Sequence, residues 1–224
     1  MIRTVVLDVG ETLTRDDRHW AGWADWLGVP RHTLSGLVGA VVVDGRDNAD
    51  AIRLLRPDID VAAEYAAREA AGRGEQLDET DLYDDVRPAL SALRALGVRV
   101  VVAGNQSTKA GDLLRTLNLP ADLVVTSAEW GVSKPSPDFF HRVVGVAHAP
   151  ADQTLYVGDH PANDVLPAAA VGLMTAHLRR GPWGHWWAGG ETVQQVADYS
   201  IDSLLDLPGL PGLVNPGRRG GSHG

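Results

Sequence analysis

The hydrophobic pattern of the chain changes character near residue 85. Beyond this point, short apolar runs alternate with segments in which apolar residues recur at helical spacing. Short apolar runs bounded by turn residues are typical of buried strands, and strands that alternate with helices predict right-handed crossovers in a parallel sheet. The strands predicted in this region are residues 98–103, 123–126, 154–157 and 173–178.

One further strand is predicted at the start of the chain. The run T-V-V-L at residues 4–7 is apolar and β-branched, and it is followed by Asp8 and Gly10. In open α/β sheets, ligands bind beyond the carboxyl ends of the strands. The position of Asp8 therefore makes it the first candidate functional residue.

The segment between the first and second predicted strands is helical. Trp20, Trp23 and Trp26 recur at helical spacing, and an alanine-rich stretch at residues 60–71 contains strong helix formers. The Gly/Pro-rich end of the chain has little apolar surface to bury. The predicted organisation is a core of residues 1–15 and 85–207, an all-α cap domain of residues 16–84, and a disordered tail of residues 208–224.

Composition narrows the functional class. The 224 residues contain no cysteine, which excludes disulfides, thiolate metal sites and a cysteine nucleophile. A net charge of −9 argues against a nucleic-acid or anionic-membrane partner. The N-terminus enters a strand without a signal-peptide pattern, and no apolar run reaches the length of a membrane span. We expect a cytoplasmic protein without a membrane partner, either a monomer or a homodimer.

Polar sites follow four of the predicted strands. Because the carboxyl ends of parallel strands share one edge of a sheet, these sites are expected to converge. Carboxylates are preferred Mg²⁺ ligands, and a metal ion with a lysine can offset the charge of a phosphate under attack by a carboxylate. Lysine is also rare here, with two against 18 arginines. The converging residues are Asp8, Gly104, Asn105, Lys134, Asp159 and Asp164.

The order of these motifs resembles the haloacid dehalogenase superfamily, in which a helical cap is inserted after the first motif. The matching pieces are D-x-x-x-T-L, a strand ending in G-N, K-P, and G-D-x-x-x-N-D. The resemblance implies an α/β fold with a Rossmann-like parallel sheet core. It implies that Asp8 is a nucleophile that forms an aspartyl-phosphate and that Lys134 stabilises the phosphate. Mg²⁺ would be bound by Asp8, the carbonyl of Gly10 and Asp159, with Asp164 supporting the metal shell.

Two positions depart from the pattern of the family's phosphatases. Gly10 stands where they have a second aspartate that acts as general acid and base, and such help is worth about 10²- to 10⁴-fold in rate. Glu11 is the candidate replacement, although the sequence favours a surface residue of the flap or an outer hydrogen-bonding residue over a catalytic acid. Gly104 stands where the family has serine or threonine, but its backbone N–H groups remain available to phosphate. Asn105 matches the residue beside that position and completes a candidate phosphate-binding set with Gly104 and Lys134.

The sequence thus predicts a Mg²⁺-dependent phosphatase of a small phosphorylated metabolite. Because the usual acid is missing, the enzyme is expected to be slow or to act on substrates whose good leaving groups need no proton. Two alternatives stay open. One is a binding or regulatory protein that kept the fold and lost turnover. The other is a hydrolase of a non-phosphate bond, like the superfamily's dehalogenases, although these work without metal and do not usually keep the acids of the fourth motif.

Overall fold

The structure, a computed structural model, describes residues 1–213 and consists of six strands, eleven α-helices and short 3₁₀ and π segments within that range. The strands are β1 (Thr4–Leu7), β2 (Arg99–Gly104), β3 (Leu123–Thr126), β4 (Thr154–Gly158), β5 (Met174–Leu178) and β6 (Tyr199–Ile201). The helices are α1 (Asp17–Leu27), α2 (Arg31–Val43), α3 (Asp50–Leu55), α4 (Val61–Ala70), α5 (Val86–Ala95), α6 (Thr108–Thr116), α7 (Ser127–Trp130), α8 (Pro137–Ala147), α9 (Leu166–Ala170), α10 (Gly181–Trp186) and α11 (Glu191–Val196).

The six strands form one sheet in the order β3-β2-β1-β4-β5-β6, and every neighbouring pair is parallel. The chain leaves β1 for the strands on one side and then returns to β4 on the other side. β1 is therefore central and lies at the point where the strand order reverses, which is where such sheets bind ligands. The predicted α/β fold with a parallel sheet core and an inserted helical region is confirmed.

The chain divides into two compact units. One comprises Met1–Arg15 together with the described residues from Leu82 onward, and the other, the helical insert, is Asp16–Asp81. Leu82 forms a bridge with Thr14, and the N–H of Tyr83 donates to the carbonyl of Leu13 at 3.0 Å. These backbone contacts place residues 82–84 with the core, so the boundary predicted at residue 84 lies three residues beyond the one in the structure.

The core is filled around β1, whose four residues are all buried. Phe139 and Phe140 of α8 pack on the sheet in one hydrophobic cluster with Tyr156 of β4. Their rings meet edge to face, with centroids 5.3 Å apart between the two phenylalanines and 5.1 Å apart between Phe140 and Tyr156. The Tyr156 hydroxyl donates to the carbonyl of Ala103 at 2.9 Å. This packing fixes the ends of β2 and β4 relative to β1.

Three features differ from the prediction. β6 was not predicted, because its three residues are too few to show alternation. The sequence pattern after β4 predicts a helix over residues 163–171, but the helical segment begins earlier, as a π-helical turn over Pro161–Val165 that leads into α9. The tail predicted to be disordered from residue 208 is wrong for residues 208–213, because Leu213 is buried and the N–H of Ile2 donates to the carbonyl of Gly212. The rest of that predicted tail, residues 214–224, lies outside the described residues.

No helix in the described part of the chain combines the length and the apolar character needed to cross a bilayer.

Candidate active site

Three buried carboxylates converge at the carboxyl edge of the sheet. Asp8 directly follows β1, Asp159 follows the neighbouring strand β4, and Asp164 lies in the π-helical turn after it. One carboxylate oxygen from each residue lies within 4.8 Å of the other two. The three residues are 7%, 2% and 0% exposed, respectively. Adjacent parallel strands that end at the same edge therefore bring together acids separated by about 150 positions.

One ammonium group is enclosed by two of these acids. The Nζ of Lys134 lies 2.7 Å from Oδ1 of Asp8 and 2.6 Å from Oδ1 of Asp164. It also lies 5.7 Å from the centroid of the Tyr156 ring. Burial by itself would lower the pKa of Lys134, but the charges of Asp164 and Asp8 outweigh it and hold that pKa well above its usual range. Lys134 is consequently a fixed cation beside the candidate nucleophile.

Asp159 has an oxygen that no protein group satisfies. Its Oδ2 is buried without a hydrogen-bond partner among the described residues. Burial, followed by the charges of Asp164 and Asp8, raises the pKa of Asp159 well above its ordinary value. Burial likewise raises the pKa of Asp8, to about 6. Three clustered acids, two of which share one ammonium and the third of which has an unsatisfied oxygen, fit a divalent cation that prefers oxygen ligands, such as Mg²⁺.

Asp164 differs from the other two acids because both of its oxygens have protein donors. Oδ1 accepts from Lys134 at 2.6 Å, and Oδ2 accepts from the backbone N–H of His160 at 3.0 Å. A Cβ atom on Gly158 would lie 2.3 Å from the Asp164 carboxyl carbon, so a glycine there admits this close approach. These contacts suit the supporting role that the resemblance implies for Asp164, which remains a prediction.

Gly104, at the end of β2, leaves room for the Asp8 carboxylate. A Cβ atom at position 104 would lie 2.4 Å from Oδ1 of Asp8, the oxygen that is paired with Lys134. Glycine in place of serine or threonine at position 104 therefore does more than remove a hydroxyl group, because it also leaves space for the Asp8 carboxylate. A side chain at residue 104 would require the Asp8 carboxylate to move.

The side chain of Asn105 forms hydrogen bonds with the backbone of Lys134, the candidate phosphate-binding lysine. Its Nδ2 donates to the carbonyl of Lys134 at 3.0 Å, and its Oδ1 accepts from the N–H of Lys134 at 2.8 Å. The two bonds tie the loop after β2 to the K-P loop. Asn105 therefore positions Lys134, and its predicted contact with phosphate remains a prediction.

Gly10 and Glu11 lie in a tight turn after β1. The carbonyl of Val9 accepts from the N–H groups of Thr12, Leu13 and Thr14, at 3.2, 2.7 and 3.0 Å. Glu11 has a φ of 53°, in the left-handed region that few residues other than glycine adopt. Glu11 is a buried residue, with an exposed fraction of 8%.

A cluster that the sequence did not reveal holds this turn. The Tyr83 hydroxyl donates to Oε2 of Glu11, and burial, followed by this hydrogen bond, raises the pKa of Tyr83. The Arg180 guanidinium lies 4.2 Å from the centroid of the Tyr83 ring, donates to the carbonyl of Thr12 at 2.8 Å and pairs with Asp85. These residues come from distant parts of the chain and carry no common spacing, so no sequence motif marks them.

Known proteins resemble this chain in sequence. Residues 2–172 match the family described as haloacid dehalogenase-like hydrolase. The chain is 33% identical over 130 residues to haloacid dehalogenase-like hydrolase domain-containing protein 3 of Xenopus laevis, a match that covers 56% of this chain and 53% of the relative. It is 29% identical over 128 residues to the glyceraldehyde 3-phosphate phosphatase of Methanocaldococcus jannaschii, with 56% and 54% covered. The chain spans about half the length of these relatives.

A solved structure agrees at the level of the fold. A haloacid dehalogenase-superfamily hydrolase of subfamily IA from Geobacter sulfurreducens superimposes with a TM-score of 0.65 at 20% identity, covering 95% of this chain and 97% of that one. The resemblance inferred from the four motifs is confirmed. The chain belongs to the haloacid dehalogenase-like hydrolase family.

Proposed function

We propose that the chain is a Mg²⁺-dependent phosphatase of a small phosphorylated metabolite. The observation that carries this proposal is the cluster of Asp8, Asp159 and Asp164 around Lys134, in which a buried oxygen of Asp159 has no protein partner. Lys134 supplies a fixed positive charge for a phosphate, and the acids supply ligands for the metal. The similarity to a glyceraldehyde 3-phosphate phosphatase supports a phosphorylated substrate.

In this proposal Asp8 is the nucleophile. One of its carboxylate oxygens forms a bond to phosphorus while the bond between phosphorus and the leaving oxygen breaks, and the electron pair departs with that oxygen. Water then attacks the aspartyl-phosphate, which releases phosphate and restores Asp8. Lys134 faces Asp8 throughout and offsets the negative charge that gathers there. Asp8, Asp159 and the Gly10 carbonyl would hold Mg²⁺, which would supply positive charge to neutralise the phosphate.

The unpartnered oxygen of Asp159 also argues against the dehalogenase-like alternative. A mechanism without metal would leave Asp159 buried and unpaired beside two other carboxylates, which is energetically costly. A bound divalent cation removes this cost. A metal-dependent mechanism therefore explains the unpartnered Asp159 oxygen, whereas a metal-free mechanism does not.

Metal dependence tests the proposed function directly. We expect phosphate release from para-nitrophenyl phosphate in the presence of Mg²⁺, loss of that activity with EDTA, and recovery when excess Mg²⁺ is added. Mg²⁺ should also raise the melting temperature, because a ligand that binds the folded state stabilises it. Asp159→Asn should lose both responses, whereas Asp152→Asn, at an exposed position just before β4, should keep them.

The same samples, incubated with 2-haloacids, distinguish the alternative. Halide release that is insensitive to EDTA, together with no phosphate release, would replace the proposal with a dehalogenase-like activity. A panel of phosphorylated sugars and small phosphorylated acids then identifies the preferred substrate class.

For Glu11 we propose a positioning role, since its carboxylate accepts from Tyr83 and its stem lies against Gly181. Glu11→Gln should lower the rate for para-nitrophenyl phosphate and for alkyl phosphates by a similar factor. That factor should be well below the ~10²- to 10⁴-fold that loss of a general acid costs. The measurement is kcat/KM for leaving groups of increasing pKa.

Gly10→Asp is the matched variant for this test, because it places a carboxylate where the family's phosphatases carry their acid. We expect it to accelerate alkyl phosphates more than para-nitrophenyl phosphate, whose leaving group needs no proton. If Glu11→Gln instead slowed alkyl phosphates selectively, Glu11 would be the proton donor and the positioning role would be wrong.

A further inference from the structure

The helical insert contains a cavity with an unusual concentration of arginines. The cavity has a volume of about 180 Å³, and its lining includes Arg18, Arg68 and Arg73. The insert as a whole is acidic, with fourteen aspartates and glutamates against seven arginines. Three of those seven arginines therefore line one cavity, and every lining residue belongs to the insert.

Arg68, on α4, is the residue that makes this cavity a candidate binding site. Its side chain belongs to a residue only 5% exposed, and its guanidinium carbon lies 4.3 Å from the centroid of the Trp23 ring. Its Nη2 is 3.0 Å from the position that a Cβ on Gly22 would occupy. Its Nε is buried and has no hydrogen-bond partner among the described residues. A buried charged donor without an acceptor is costly, so the site lacks an acceptor that a ligand can supply.

The acids near the cavity have other contacts. Asp25 accepts two hydrogen bonds from Arg31, at 3.0 and 2.7 Å. The backbone N–H of Glu75 donates to Oε1 of Glu69 at 2.8 Å. Burial lowers the pKa of Arg68, and the nearby Tyr65, Glu75 and Glu69 oppose that shift without bonding to its Nε.

The other two arginines differ in how firmly they are held. Arg18 is bonded to Asp78 at 2.7 Å and pairs with Asp81 at 3.0 Å. Arg73 stacks over the ring of Trp26, 5.4 Å from its centroid. Arg68 and Arg73 are thus the guanidinium groups best placed to serve a ligand, while Arg18 contributes charge from a fixed position.

We propose that this cavity binds a small oxyanion, a carboxylate or phosphate group, with Arg68 as its principal hydrogen-bond donor and Arg73 as a second cation. Guanidinium groups match the geometry of both kinds of anion. The volume is below the ~300–1,000 Å³ of pockets that hold drug-sized ligands, which suits a small ion or one charged end of a metabolite. The site is built without Asp8 or Lys134, so it stands whether or not the core is a phosphatase.

The test follows the Nε–Hε signals of the arginines by NMR in buffer that contains EDTA, during titrations with inorganic phosphate and with malonate. We expect the Arg68 signal to shift saturably with at least one of the two anions, and the tighter one identifies the preferred group. Calorimetry should show binding lost in Arg68→Met, which keeps an apolar stem against Trp23. Binding should be weakened about tenfold or more in Arg73→Gln.

Arg53→Gln is the matched control, because Arg53 lies on α3 of the same insert, is exposed, and is paired with Asp50 at 2.6 Å. It should bind as the wild type does. Titration with sodium chloride at equal ionic strength separates binding from screening. An Arg68 signal that responds to neither anion, or that moves only in parallel with the exposed arginines and with chloride, would overturn the proposal. The wild-type signals decide the question even if Arg68→Met does not fold.

Discussion

Asp8→Asn is expected to reduce phosphate release by about 10⁴-fold or more, because an amide cannot replace a carboxylate as the attacking group. The substitution keeps the size of the side chain, and Lys134 keeps its contact with Asp164 at 2.6 Å, so folding should be retained. The measurement is kcat for para-nitrophenyl phosphate with Mg²⁺. Acid-quenched mass spectrometry should detect a phosphoryl adduct on the wild type during turnover and none on the variant.

Asp112→Asn serves as the control for Asp8, because the Asp112 side chain is 77% exposed and pairs with Arg115 on the surface. Its activity should equal that of the wild type. If Asp8→Asn retained the wild-type rate, the nucleophile would have to be another residue. If the wild type showed no turnover of any activated phosphate ester with Mg²⁺, the binding or regulatory alternative would stand in place of the enzyme.

Lys134→Met is expected to destabilise the metal-free protein by about 3–5 kcal/mol, because the carboxylates of Asp8 and Asp164 would remain buried without their cation. Burial already raises the pKa of Asp8, which shows how poorly this site tolerates negative charge. The variant should also lose most of its phosphatase activity. Urea unfolding in EDTA at neutral pH measures the free energy of unfolding.

Lys109, the other lysine in the chain, gives a matched control at an exposed position on α6. Lys109→Met should change the free energy of unfolding by less than about 0.5 kcal/mol, as is usual for surface substitutions. A Lys134→Met protein as stable as the wild type would show that the two carboxylates are neutralised by something other than this lysine, and the electrostatic account of the site would be wrong.

Much of the core was predictable because its signals are local. A short apolar run such as residues 4–7 predicts a strand without any knowledge of the rest of the fold. The alternation of such runs with helices favours a parallel sheet. The carboxyl edge of the sheet then requires Asp8 and Asp159 to lie together. Their convergence in the structure, with Lys134 between Asp8 and Asp164, agrees with that expectation.

Other parts of the site were not predictable, because they depend on which side chains meet after folding. The cluster of Tyr83, Arg180 and Asp85 joins segments about 100 residues apart and has no motif. The two hydrogen bonds between the Asn105 amide and the backbone of Lys134 join loops that are 29 positions apart, and no spacing in the sequence indicates them. The consequence of Gly104 for Asp8 becomes visible only when a Cβ is placed 2.4 Å from the carboxylate.

The sequence by itself determined the sheet, the inserted helices and the order of the acids, since periodicity and strand ends are properties of short segments. Only the tertiary structure decided which charges lie beside each of these groups and whether each group has a hydrogen-bond partner. It enclosed one ammonium between two acids, left an oxygen of Asp159 without a donor, and buried the Nε of Arg68 in the insert without an acceptor among the described residues. The physical reason is that desolvation and hydrogen bonding depend on every neighbour in three dimensions, and a linear spacing does not specify those neighbours.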